Sequence, residues 1–369
     1  MKTKVIAMYL PQYHEIEENS LFWGKGYTDW VGVKKATPFL ENQVQPRVPL
    51  DNNYYDLSKV EPLRWQAKIA KEHGIYGFGI YHYWFNTEKN LLTKPAENLL
   101  ANKDIELPFF FAWDNTNWKR TWSKIPGNAW SPLVDENNKP KLDNGKEILI
   151  EYILGDKPEW KMHFDYLLPY FKDERYIKID GKPLFFIFHY SEKLIEMIDY
   201  WDELAKENGF NGVHVALSNK TKAYFDKKVK YLFNYEPLYE TSGHGNFWHY
   251  LAIKLGLPAK NKKIYTYDWV WKNTLKNAKK GKRAYSGCIV TYDDTPRRGK
   301  NATVITGSTP EKFEKYLSKL LDISSKKGKE YVFLTAWNEW GEGAYLEPDE
   351  TYGYQYLEAA ERAIKSKDE

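Results

Sequence analysis

Residues 331–343 read Tyr331-Val332-Phe333-Leu334-Thr335-Ala336-Trp337-Asn338-Glu339-Trp340-Gly341-Glu342-Gly343. The first six are apolar or β-branched on both faces, the pattern of a parallel strand covered on both sides. The run then breaks into two carboxylates, two tryptophans and two glycines. Polar groups at the carboxyl end of a buried strand are where an α/β enzyme presents its chemistry.

Working outward, β-rich runs fall at about 5–10, 77–82, 108–113, 183–189, 212–218, 231–236, 286–292 and 330–337. Helical patterns alternate with them at roughly 59–73, 95–103, 159–172, 193–207, 220–228, 267–280, 310–327 and 353–366. Ser308-Thr309-Pro310-Glu311 supplies a hydroxyl cap, a proline and an acid for one helix start. This alternation predicts a (β/α)8 TIM barrel, an α/β fold, with long irregular βα loops at 11–58, 114–158 and 238–266. No linker, repeat or low-complexity segment interrupts it, so residues 1–369 are expected to form a single domain.

The chain has 369 residues, 42% of them apolar, enough for a substantial core. Its 54 basic and 50 acidic side chains leave a net charge of +4 with no basic arm, which argues against a nucleic-acid partner. Cys288 is the single cysteine, which excludes an intrachain disulfide and a thiolate metal cluster. The histidines lack ligand spacing, so neither metal nor cofactor is expected. No segment is apolar enough to span a bilayer, and the first residues lack a signal-peptide core, so a cytoplasmic location is expected.

Aromatic residues are abundant, with 15 Trp and 29 Tyr, many in polar company. Flat rings stack on the C–H faces of sugars while neighbouring polar groups bind hydroxyls, so a glycan substrate is expected. By position at strand ends, Trp84, Trp113, Trp118 and Tyr235 are candidates for stacking. Tyr9, Gln12, His82, Asn115, Asn117, His189 and Asn338 are candidates for hydroxyl binding, and Trp340 flanks the acids. Gly341 and Gly343 let the chain turn so that Glu339 and Glu342 both face the cleft. Paired carboxylates of unequal pKa are the equipment of glycosidic-bond chemistry. Glu236 is a reserve acid.

The segment 337–349 resembles the signature of WbsX-type proteins, relatives of glycoside hydrolase family 99. Tyr9-Leu10-Pro11-Gln12-Tyr13-His14, Trp23-Gly24-Lys25-Gly26-Tyr27-Thr28-Asp29-Trp30, Tyr81-His82-Tyr83-Trp84-Phe85, Asp180-Gly181-Lys182-Pro183 and Asp294-Thr295-Pro296-Arg297-Arg298 resemble that group too, in order along nearly the whole chain. The resemblance implies a metal-free barrel and, from family 99, a Glu-x-x-Glu pair cleaving α-mannosidic bonds with retention. Glu339 would then be the base on the sugar's own 2-hydroxyl and Glu342 the acid/base at the leaving oxygen. WbsX-type proteins also resemble polysaccharide and O-antigen biosynthesis proteins, often labelled glycosyltransferases.

Three other features carry expectations. The chain has neither Gly-x-Gly-x-x-Gly nor a P-loop, which weighs against a sugar-nucleotide transferase. Asp294 and Arg297, in a stretch with Asp293, Arg298 and Lys300, are either an ion-pair loop or a site for an anionic or lipid-linked glycan. The stretch Phe247 to Leu257, with Lys260, Lys262 and Lys263, has the ingredients of a peripheral membrane contact. A non-catalytic glycan-binding barrel is the alternative of another class.

Overall fold

The computed structural model describes residues 2–119, 142, 143, 146–242, 251, 255, 263–281 and 283–366. The eight barrel strands are β1 (Lys4–Tyr9), β2 (Gly77–Asn86), β3 (Phe109–Trp113), β4 (Lys182–Ile187), β5 (His214–Ser218), β6 (Tyr231–Phe233), β7 (Ala284–Ile289) and β8 (Tyr331–Thr335). All pair in parallel with their sequence neighbours, and β1 pairs with both β2 and β8. Ile6 lies opposite Gly77 on one side, and Val5 opposite Val332 on the other, so the sheet closes. The expected (β/α)8 barrel is therefore the fold.

One helix follows each strand: α1 (Val60–Glu72), α2 (Lys94–Ala101), α3 (Lys157–Lys172), α4 (Glu192–Glu207), α5 (Thr221–Phe225), α6 (Tyr267–Lys280), α7 (Pro310–Lys326) and α8 (Gln355–Lys365). Helix α7 shows why. Phe313, Tyr316, Leu317, Leu320, Leu321 and Ser324 recur at intervals of three and four and form its buried stripe. Its first turn is capped by the Thr309 hydroxyl, which accepts from the Lys312 N–H at 3.3 Å. Helix α3 begins with a reciprocal capping box between Asp156 and Glu159.

The barrel interior is aromatic. Phe186 stacks on Phe233 at 4.2 Å between ring centroids and meets Phe333 at 4.5 Å and Phe110 at 4.8 Å. Each such buried ring contributes about 1.5–3 kcal/mol of transfer free energy. Gly79 makes room for them, since a Cβ there would lie 2.7 Å from the Phe110 ring and 2.8 Å from Met8 Sδ. This plug closes the bottom of the cavity that opens at the strands' carboxyl ends.

The stretch expected to be irregular after β1 contains two short helices, Glu17–Trp23 and Asp29–Lys35. The second docks through Trp30, whose ring lies 4.3 Å from Tyr13 and 5.7 Å from Trp340. Burial of that ring holds a helix of only seven residues. After β3, Trp118–Lys119 pairs antiparallel with Lys146–Ile150. The proposed membrane-contact stretch falls, apart from Leu251, Leu255 and Lys263, outside the described residues. Among the described residues no helix is long and apolar enough to cross a membrane.

Candidate active site

After β8 the chain makes a miniature hairpin, Asn338–Glu339 pairing antiparallel with Ala344–Tyr345 around a 3-10 turn at Trp340–Glu342. Gly343 sits at φ +54°, the left-handed conformation that ends the turn. The turn is bolted from beneath. Asn338 Oδ1 accepts from the Leu10 N–H at 2.7 Å and its Nδ2 donates to the Leu10 carbonyl at 3.0 Å. Tyr13 OH donates to the Asn338 carbonyl at 2.7 Å and accepts from the Trp340 N–H at 3.0 Å. Buried Glu347 accepts from Trp337 Nε1, Trp340 Nε1, Gln66 Nε2 and Tyr55 OH, all at 2.7–3.0 Å.

The result is that Glu339 and Glu342 face one cavity of about 670 Å³ and meet at a single guanidinium. Arg297 Nη1 donates to Glu342 Oε1 at 2.8 Å, and Nη2 donates to Glu339 Oε1 at 2.5 Å and to Asp29 Oδ2 at 2.8 Å. Burial pushes the Glu339 carboxyl up to about 8 against the pull of Arg297, with Glu342 and Asp29 adding to the rise. Three carboxylates around one cation thus retain a proton at neutral pH. Above them Tyr81 and Tyr235 share a hydrogen bond of 2.5 Å between their hydroxyls.

Of the residues singled out from sequence, Gln12, Asn117, Trp118, His189, Tyr235, Arg297, Glu339 and Glu342 line this cavity. Gln12 donates to the Tyr83 hydroxyl at 2.9 Å, and Trp118 meets the Tyr83 ring edge-on at 5.6 Å. The others are built into the wall instead. Tyr9, His82, Trp84 and Trp113 point away from the barrel axis toward the helices. Tyr9 OH donates to Gln66, His82 Nε2 meets His163 Nε2 at 2.8 Å, and Trp84 stacks on His163 at 4.4 Å. Trp113 Nε1 donates to the Trp84 carbonyl at 2.8 Å.

Asn115 zips two loops together, donating to the His189 carbonyl and accepting from its N–H, both at 2.8 Å. Asn338 and Trp340 are committed to the bolting described above. Glu236 is buried beside Glu240, whose N–H it accepts at 3.3 Å. Asp294 is tied to Arg298 at 2.6 Å. Arg297 was read from sequence as either part of an ion-pair loop or a contact for an anionic glycan. Its guanidinium is occupied by three carboxylates, the ion-pair arrangement that was one of the two readings of this stretch.

Sequence reasoning missed Asp29, Tyr81 and Tyr83, which line the cavity. Their signal was present: all three lie in the aromatic motifs quoted above, and strand parity relates Tyr81 and Tyr83 to Gly79 on the inner face. Among the described residues, no group of three or more His, Cys, Asp or Glu side chains is arranged to hold a metal ion.

The family model of Glycosyltransferase WbsX matches residues 5–360. The chain belongs to this family. The WbsX assignment agrees with the geometry just described, because the matched span carries all eight strands and the turn at 340–342. Two relatives described as "Uncharacterized protein WxcX", from Xanthomonas campestris pv. campestris strains B100 and ATCC 33913, are each 27% identical over 98% of this chain. The chain spans about half the length of these curated relatives, 49% in each case. Among solved structures, the GH99 endo-alpha-mannosidase from Bacteroides thetaiotaomicron superposes with a TM-score of 0.55 at 12% identity, over 98% of this chain and 96% of that one. A protein titled "Glycoside hydrolase-like protein" gives the same TM-score and identity, over 98% and 94%. These likenesses concern the fold.

Proposed function

We propose that this WbsX-family barrel makes or breaks glycosidic bonds with Glu339 and Glu342 as its catalytic pair. The observation that carries the reading is their convergence on Arg297 at the mouth of an aromatic cavity large enough for an oligosaccharide. Tyr81, Tyr83, Tyr235 and Trp118 supply stacking faces and hydroxyl partners there.

The shared proton rests on Glu339, which burial pushes up to about 8. In the reacting complex that proton is passed to Glu342, leaving Glu339 ionised. Glu339 then takes the proton of the sugar's 2-hydroxyl, whose oxygen attacks the anomeric carbon while Glu342 protonates the departing oxygen. Water or an acceptor hydroxyl, deprotonated by Glu342, then attacks the anomeric carbon and breaks its bond to the 2-oxygen, which takes back the proton held by Glu339, so that the anhydro ring opens with overall retention. The nature of that acceptor separates hydrolysis from transfer. The family description favours transfer during glycan assembly, and the carboxylate pair serves either outcome.

The test is turnover of α-linked oligosaccharides followed by NMR of the first-formed anomer, with Glu339→Gln and Glu342→Gln as controls. Retained configuration and a loss of roughly 10²–10⁴-fold in each variant are expected. Unchanged rates in either variant would discard the pair.

A further inference from the structure

The cavity has a second polar wall, opposite in character to the carboxylate cluster. Asp114, His189 and Lys220 stand at the ends of the consecutive strands β3, β4 and β5, and all three line the cavity that holds Glu339 and Glu342. Their frame is rigid, because Asn115 clamps the backbone of His189 through paired 2.8 Å hydrogen bonds. Lys220 is held at the start of α5, its N–H donating to the Ser218 carbonyl at 2.7 Å.

What Lys220 lacks is a hydrogen-bonded partner. The Lys220 ammonium makes no hydrogen bond or ion pair with another described residue and feels only the charge of Asp114. His189 Nε2 lies 3.9 Å from the Asp114 carboxylate. His189 sits within the fields of both Lys220 and Lys119, which with burial keep its ring neutral at neutral pH. The wall thus presents the Lys220 ammonium with no hydrogen-bonded counter-ion, whereas the end that holds Glu339 and Glu342 sets three carboxylates against one guanidinium. A partly buried ammonium without a counter-ion forfeits hydration that a bound anion would replace.

We propose that this wall is a subsite for an anionic group, a carboxylate or a phosphate carried by the glycan. Lys220 is its counter-ion, and Asp114 and His189 take neighbouring hydroxyls. The inference deepens the glycan reading and rests on it. It names the substrate class as one with an acidic substituent, set away from the bond that Glu339 and Glu342 act upon. Recognition at this wall leaves Arg297 undisturbed in its carboxylate clamp.

The test is calorimetric binding at neutral pH and low salt, using a disaccharide ending in glucuronic acid, its neutral methyl ester, mannose and mannose 1-phosphate. The wild type is expected to prefer the acid to its ester, or mannose 1-phosphate to mannose, by about tenfold. Which pair shows the preference identifies carboxylate or phosphate as the source. Lys220→Gln should erase the preference while leaving ester binding within about twofold, and Lys220→Arg should retain most of it. Asp114→Asn, which removes a repulsive charge, should strengthen binding of the anionic probe. Equal binding of charged and neutral probes by the wild type, or a preference that survives Lys220→Gln, overturns the anion subsite and leaves the catalytic reading standing. No binding of any probe overturns both. Matching thermal melts of the variants show that the losses are not unfolding.

Discussion

Gly341 and Arg297 are in such close contact that a Cβ built on the glycine would lie 2.7 Å from Arg297 Nε and 3.2 Å from its Cζ. The backbone of the turn between Glu339 and Glu342 is therefore the surface on which the guanidinium rests. Gly341→Ala should displace Arg297 and with it both glutamates. A misplacement of about 1 Å costs on the order of 10²-fold in rate, whereas the steric cost to folding is only about 1–3 kcal/mol. Turnover assays alongside denaturant melts measure the two effects; a variant with full activity would show that the guanidinium does not set the geometry.

The two glutamates are expected to differ toward leaving groups. Glu342→Gln should still release the phenol of an aryl glycoside, which leaves without protonation, as a burst ahead of slowed turnover, and should lose that step on an alkyl glycoside. Glu339→Gln should fail on both, because no leaving group replaces a base. The reverse pattern would exchange their roles and keep the pair.

The pH profile follows from the retained proton. Glu339 is pushed up to about 8, so the cluster loses its last proton as pH rises through that value, and kcat/KM of a neutral substrate should fall there. Asp29 contributes to the rise, so Asp29→Asn should move this limb to lower pH. A limb that stays in place would remove Asp29 from the electrostatics of the site.

Stability should fall as pH rises from about 4.5 to about 7. Buried Glu236 and Glu240 lie together, and burial raises both carboxyls, Glu240 from 4.5 to about 7. A carboxyl with a higher pKa in the fold takes up a proton on folding. Its contribution is full below about 4.5 and is lost as pH rises through about 7, at up to about 1.4 kcal/mol per pH unit. Thermal melts from pH 4.5 to 7 should show this slope, and Glu240→Gln should flatten it. An identical slope in the variant would place the titration elsewhere.

Inner and outer aromatics should separate by what their loss affects. Tyr235→Ala, at the cavity, should weaken glycan binding by about 1–3 kcal/mol with a smaller effect on folding. Trp113→Ala, packed against His163 at 4.7 Å, should cost about 3–5 kcal/mol of stability. Calorimetry and denaturant melts on both variants decide it.

Much of the fold was legible because its signals are local. The apolar run at 331–335, the capped stripe of α7 and the alternation of the eight strand and helix patterns each depend on residues close together in the chain. The turn that carries Glu339 and Glu342 was legible too, since two carboxylates and two glycines at a strand end leave few other arrangements. The two helices at 17–23 and 29–35 were not, because docking of Trp30 on Trp340, rather than helical periodicity, stabilises the second.

The sequence by itself determined the barrel and the position of its two glutamates at the end of β8. Only the tertiary structure decided which aromatics meet a ligand and what holds the acids. In Gly77–Asn86 nearly every side chain is apolar or aromatic, so no alternation distinguishes the inward Tyr81 and Tyr83 from the outward His82 and Trp84. The bond from Arg297 to Asp29 spans 268 positions. Such a contact leaves no periodic trace in the chain, because it exists only once the barrel has closed.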